Sequence, residues 1–384
     1  MQKDFHYYAT YSAAFLAGYS HEESVTIATS AQFVDDCTVA LLKSIEGPEE
    51  AATTQLQMEL ANYYTDTLGI QNITRIWASF HFLPYDLYAD VKKGTRAYKN
   101  KFRLICGPNG KLLADTIETA RGKDLQAIGI AMHVLADTWA HSYFAGTPSL
   151  VINNTNRFVT ELLEKDGEET ERPIVFKHRL GVADDPEEGD YTASIYQSSE
   201  KSIMNLGHGR IGHLPDYSYI KYRYMPAWGD YGEVIKDNPN EYYKAFSQMV
   251  YAMKYLRGVN SEFKLDTYDT DSVEKLKPEL FRILRKRQID ACEDWKAFGE
   301  KLSGQVIPEY STKSYENEYK GADRNSKMNT FIGKFILAAM AQKSMVTNKI
   351  YKSGNLIAGY SINVDRSVIK EMDNLRYFLE YFRR

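Results

Sequence analysis

The strongest constraint on this chain is a largely apolar stretch, residues 124–144, that carries three ionisable side chains at a fixed interval. Leu125, Ile128, Met132 and Leu135 recur at helical spacing, and Gly146 and Pro148 supply the stop. His133, Asp137 and His141 succeed one another four residues apart. Residues four apart lie about 40° round a helix axis, so the three make a ridge two turns long. Gly129 and Ala136 leave room beside it. A carboxylate between two imidazoles suits an aspartate bridging two borderline metal ions, with one histidine for each. The alternatives for such a trio are a solvated face and a hydrogen-bonded core network.

Composition leaves any metal chemistry to nitrogen and oxygen donors. The 384 residues include three widely spaced cysteines, Cys37, Cys106 and Cys292, which make neither a disulfide framework nor a cysteine zinc site. Eight histidines and the carboxylates remain. Lys and Arg number 47 against 51 Asp and Glu, a net charge of −4, which argues against bulk nucleic-acid binding and leaves room for a local basic patch. Apolar runs such as Ile128 to Val134 fall far short of the ~20 residues that cross a bilayer. The opening MQKDFHYYATY lacks the apolar core of a signal peptide. The expectation is a cytoplasmic protein without a membrane span.

The rest of the pattern reads as all-α, a multi-helix bundle with minor extended segments. Ser20 with Glu23 forms a capping box before an apolar-periodic stretch running to Gly47-Pro48. Asn238-Pro239-Asn240-Glu241 opens another helix, with Phe246, Met249, Val250, Met253 and Leu256 on one stripe. Further helical patterns occupy 279–302, 326–346 and 366–382. Residues 101–106 and 110–114 flank Gly107-Pro108-Asn109 as a small hairpin, Pro173 to Leu180 reads as extended, and 163–173 as an exposed loop or helix end. A polar stretch at 258–275 divides a metal-binding helical domain, 1–258, from a C-terminal helical extension, 259–384, packed on it, the alternative being one domain throughout.

Other candidates gather around the ridge. Asp35 lies within the apolar stripe of Ala28, Ala31, Val39 and Leu42, where a carboxylate needs a cation or a donor; Asp36 points about 100° away. His6 and His81 each have aromatic neighbours that exclude water. His208, His213 and Asp216 share a glycine-rich turn with Arg210, where side chains can converge. His21 and His178 show no partner. No His-Glu-x-x-His, phosphate-loop or nucleophile-elbow motif occurs.

In order, His6, Asp35, His81-Phe82, His133-x-x-x-Asp137, His141 and His213 with Asp216 resemble the ligands of the zinc-dependent phospholipase C and single-strand-specific zinc nuclease superfamily. The likeness covers roughly the first 220 residues, and the opening Asp4-Phe5-His6-Tyr7-Tyr8-Ala9-Thr10-Tyr11 is similar to a divergent bacterial branch. Met1 stands where relatives have a tryptophan, His141 follows Asp137 more closely, and Asp216 follows His213 by three residues instead of four. The resemblance implies an all-α hydrolase of phosphate esters with two or three Zn²⁺ ions that acidify a bound water. It implies His133, Asp137, Asp35 and His81 around one ion. His141 and Asp216 with His213, or with His208 in its place, would hold a second, and His6 a third. Asp35 or Asp36 would orient the water. Arg210, Tyr217 and Tyr219 are the substrate-binding candidates, for a small phosphate ester or nucleotide. The alternative is a metal-stabilised or interaction protein with the same fold and no activity.

Overall fold

The capping box forms as written: the Ser20 hydroxyl accepts the Glu23 amide at 3.2 Å, and the Glu23 carboxylate accepts the Ser20 amide at 2.7 Å. The computed structural model describes residues 1–56, 59–60, 67–156, 158–165, 167–177, 183–193 and 205–359. A π-helical turn, Asp4–Ala9, runs into α1, Thr10–Leu16; α2 is His21–Asp36, and α3 is Val39–Ser44. Then come α4, Thr67–Phe80, α5, Arg96–Phe102, α6, Lys111–Ala120, α7, Leu125–Ala140, and the single turn α8, Leu150–Asn153. Strands β1, Thr160–Lys165, β2, Glu168–Pro173, β3, Val175–Lys177, β4, Asp190–Thr192, β5, Lys221–Tyr224, and β6, Val234–Asp237, precede α9, Asn238–Leu256. The last part holds α10, Lys277–Leu284, α11, Cys292–Ser303, α12, Lys313–Gly321, and α13, Phe331–Lys352.

The strands correct the all-α expectation. Among the described residues, an antiparallel sheet in the order β2-β1-β5-β6 stands beside the helices, with a parallel pair, β3-β4. The chain is mixed α/β. Residues 163–173, read as loop or helix end, belong mostly to the β1-β2 hairpin, which turns at Gly167 (φ 83°). Its outer strand is almost wholly exposed, so it lacks the apolar alternation that marks a half-buried strand. The expected hairpin around Gly107-Pro108-Asn109 is instead the link between α5 and α6. Leu112, Leu113, Thr116, Ile117 and Ala120 are buried at helical spacing on α6. The Ser20 helix breaks at Cys37, whose ψ of 76° is not helical, and Thr38 caps α3. The pattern at 366–382 and His178 lie outside the described residues.

Helices α2 and α7 cross in close contact, and Gly129 permits it. A Cβ there would collide with the Ile27 carbonyl oxygen and the Ser30 Cβ. The main core draws Ile27, Phe33, Met132 and Leu135 together with Trp295, Phe298, Phe335 and Ile336, so α11 and α13 pack on the same core as α2 and α7. A second apolar cluster, including Phe82, Phe144, Ile211, Leu214, Tyr222 and Tyr224, fills the space between the sheet and the 205–217 turn. No helix among the described residues is long and apolar enough to cross a membrane.

Candidate metal centre

The α7 ridge is buried where α2, α4 and the 205–217 turn meet the start of the chain. His133 is fully enclosed, Asp137 is 1% exposed and His141 5%. Ionised carboxylates at such depth need compensating charge or donors. Three groups of ligand atoms surround the Asp137 carboxylate: His6, His133 and Asp137; Asp35, His81 and His133; and His141, His208 and Asp216. Buried His/Asp clusters within metal-binding distance are therefore a property of this fold.

The second group has the shape of a coordination shell. His81 Nδ1 and His133 Nε2 are 3.3 Å apart, and both face Asp137 Oδ2, at 3.3 and 3.1 Å. Asp35 Oδ1 stands 3.8 Å from the first nitrogen and 3.9 Å from the second. Ligands about 2.0–2.2 Å from a tetrahedral ion are roughly 3.3–3.6 Å from one another. Asp137 turns its other oxygen, Oδ1, to His6 Nε2 at 3.2 Å. One carboxylate thus faces His81 and His133 with one oxygen and His6 with the other, whereas the ridge spacing predicts His141 as the second histidine.

Each of four histidines spends its remote nitrogen on a backbone carbonyl. His133 Nδ1 donates to Ala31 O at 2.9 Å, His81 Nε2 to Thr53 O at 3.0 Å, His141 Nδ1 to His81 O at 2.7 Å and His208 Nδ1 to Gly212 O at 2.6 Å. A donated remote N–H fixes the tautomer, so the inward nitrogen presents a lone pair; this is how metal-binding imidazoles are oriented. His6 differs. It stacks on His133 with ring centres 3.8 Å apart, and among the described residues its Nδ1 has no hydrogen-bond partner, while its Nε2 faces only Asp137 Oδ1 without making a well-aligned hydrogen bond. Buried ring nitrogens left so are costly, and a cation between Nε2 and Asp137 Oδ1 would satisfy that one. His6 also lies on the π-helical turn, a distortion frequent at functional sites.

Protonation follows burial. Enclosure pushes His6, His133 and His208 down to about 4, so all three are neutral at pH 7 and competent as ligands. Burial opposes the charge of Asp137, yet His141, the Met1 ammonium and His133 hold it well below the carboxylate range. Asp216 is likewise held low against burial, by His208 and the ammonium. The Met1 amine itself lies 2.7 Å from Asp137 Oδ1, 3.1 Å from His141 Nε2 and 3.3 Å from Asp216 Oδ1. Burial works against its charge, but those carboxylates and Asp35 push it up to about 11.

The remaining candidates separate. His208 Nε2, in the third group, faces Asp216 Oδ2 at 3.7 Å, whereas His213 is 61% exposed and pairs with that oxygen through Nδ1 from the rim. Gly207 (φ 54°) lets the turn close over the Phe82 ring, which stacks on His141. Asp35 keeps 32% of its side chain in solvent, and exposed Asp36 accepts the Tyr310 hydroxyl. Buried Arg210 donates to Asn154 Oδ1, Tyr217 to Asp184, and Tyr219 pairs with Tyr191; all three pack into the fold around the turn. The carbonyl partners carry no sequence signal, because backbone carbonyls are the same at every position.

Over residues 1–350 the chain matches a family model described as a family of unknown function (DUF6765). The chain belongs to that family. The DUF6765 match spans every residue of the three groups. No curated protein and no solved structure matches the chain.

Proposed function

We propose that this DUF6765 chain is a zinc-dependent hydrolase of phosphate esters, acting on a small ester or nucleotide. The observation that carries the reading is the four-cornered set of Asp35, His81, His133 and Asp137, with atoms 3.1–3.9 Å apart and both histidine tautomers locked by carbonyls. These four residues would hold one ion. His141, His208 and Asp216 would hold another, and His6 with Asp137 Oδ1 a third. An all-nitrogen-and-oxygen set with neutral imidazoles fits zinc among borderline ions. Such ions, when bound, acidify water to about pKa 7 and stabilise charge on phosphoryl oxygens.

The protein's own part is positioning. Asp35 turns Oδ1 to the imidazoles and takes the Gln32 amide on Oδ2 at 3.4 Å, so it suits both ligation and orientation of an attacking water at the partly open edge. Asp36, occupied by Tyr310, braces the end of α2. The narrow exposure favours a small ester over a lipid in a bilayer. The order of ligands, similar to that of the zinc phospholipases C and zinc nucleases, supports the same reaction class.

Depth favours a second reading, a structural metal cluster with every position filled, since His6 and His133 have no exposure at all. Turnover separates the two. Full-length protein is assayed for metal content and then against phosphodiester and phosphomonoester panels, with and without chelator. Zinc-dependent hydrolysis that Asp35→Asn reduces at retained metal content supports the enzyme. Full zinc occupancy without turnover on any panel member contradicts it.

A further inference from the structure

Lys236 is a fully buried lysine beside the C-terminal end of α7. It has no exposed surface, although a lysine can usually reach water along its stem. Its Nζ donates to Trp139 O at 2.8 Å and to Ser142 Oγ at 2.6 Å, and it pairs with Glu241 at the start of α9. Trp139 and Ser142 bracket the C-terminal end of α7, and His141 lies between them. Here the helix leaves carbonyls without amide partners and the negative end of its dipole, both of which a cation satisfies.

The turn that Lys236 grips is strained. Tyr143, two residues past His141, has φ 78°, a left-handed conformation that non-glycine residues seldom adopt. Cys106 holds it from one side, taking the Tyr143 amide on its carbonyl at 2.9 Å and donating to Phe144 O at 2.7 Å. Trp228 donates to Tyr143 O at 3.1 Å, and Lys236 Nζ lies 5.9 Å from the Tyr143 ring centre. Strain of this kind persists where the surroundings over-determine it. It fixes where His141 leaves the helix and points Nε2 at Asp216 Oδ1, 3.0 Å away.

We infer that Lys236 is a positioning residue for the His141–His208–Asp216 half of the centre, clamping the strained turn that aims His141. The inference rests on the metal reading above. It makes the two halves separable: the Asp35–His81–His133–Asp137 set is oriented by α2 and residue 53, which Lys236 does not touch.

The test is a Co²⁺ titration of the full chain, wild type against Lys236→Met, following ligand-field absorption and bound metal, with circular dichroism as the folding check. Wild type is expected to take up at least two ions. The variant should bind one ion with affinity within about twofold of wild type and the other about tenfold or more weakly, the range in which outer partners of metal ligands act. A merely structural role would weaken both steps together, and that result overturns the inference, as does an unchanged second step. Ser142→Ala, which removes one acceptor and keeps the lysine, should weaken the second step about threefold and serves if Lys236→Met does not fold; an unchanged second step there also overturns the inference. A wild type that binds no metal overturns the metal reading and this inference with it. Two ions bound equally by wild type and variants overturn the inference alone.

Discussion

The two halves of the centre are built differently. The half around His81 and His133 stands largely on helices: α2 brings Asp35 and the Ala31 carbonyl, α7 brings His133 and Asp137, and Gly129 lets the two touch. The half around His141 and His208 stands on turns, with Gly207 under Phe82, the left-handed Tyr143 and the Lys236 clamp from β6. Helical spacing sets where Asp35, His133 and Asp137 sit along α2 and α7, and packing of the helices brings them together. The second half needs turn geometry as well as contacts between residues far apart in the chain. The first should therefore be rigid and tolerant of distant change, and the second sensitive to it.

The largest effect should come from the carboxylate that faces both His133 and His6. Asp137→Ala is expected to abolish the ion at His81 and His133 and the one at His6, to leave at most the His141–His208–Asp216 ion, and to cost about 3–5 kcal/mol of metal-free stability by leaving buried partners unpaired. Metal analysis and chemical denaturation measure both; unchanged occupancy would break the idea of a bridging carboxylate. Next, Gly129→Ala should force α2 and α7 apart, destabilise the fold by about 1–3 kcal/mol and weaken the His133-side ion about 10- to 100-fold. Loss confined to the other ion would reverse the comparison. Within the turn half, His208→Ala should weaken metal binding far more than His213→Ala, because His213 faces solvent from the rim. Equal losses would place both in the site.

Metal-free stability should also track the buried histidines. His6, His133 and His208 titrate near 4 when folded and near 6.5 when unfolded, so the unfolded chain binds more protons between those values. Stability should fall as pH drops from about 6.5 towards 4. The Met1 amine runs the other way: raised to about 11, it adds stability that is lost as pH climbs from about 8 to 11. Thermal melts of apo-protein between pH 4 and 10 should give a dome with its top near neutrality. A flat acid limb would contradict the burial of uncharged imidazoles. The smallest effect should be Ser20→Ala, about 1 kcal/mol from the lost cap with metal binding unchanged.

What was legible of the helix half in the sequence was the spacing within each helix, which is local; the meeting of Asp35, His81 and His133 was not. The Ser20–Glu23 box, the period of α7 and the four-residue interval of His133, Asp137 and His141 all act within a few turns. The sheet was not. Leu162 and Tyr222 are buried strand residues, but β2 reads Glu-Glu-Thr-Glu-Arg-Pro and β5 is only the short Lys-Tyr-Arg-Tyr, so neither carries a clear apolar alternation. Lys221 and Arg223 instead reach across to Glu169 and Glu171 of the hairpin. The order of residues in the sequence favours His213 as the ligand, with His208 only in its place, whereas the structure groups His208 with His141 and Asp216. The difference lies in one long-range fact, the closure of Gly207 on Phe82, which carries His208 inward.

The central claim is that Asp137 bridges metal ions held by these histidines. The most direct measurement is the zinc content of the metal-replete full chain, wild type beside Asp137→Ala, by elemental mass spectrometry at pH 7. Two or three zinc ions per wild-type chain are expected, and at most one, at His141, His208 and Asp216, in the variant. Fewer than one per wild-type chain, or equal content in the two proteins, would contradict the claim.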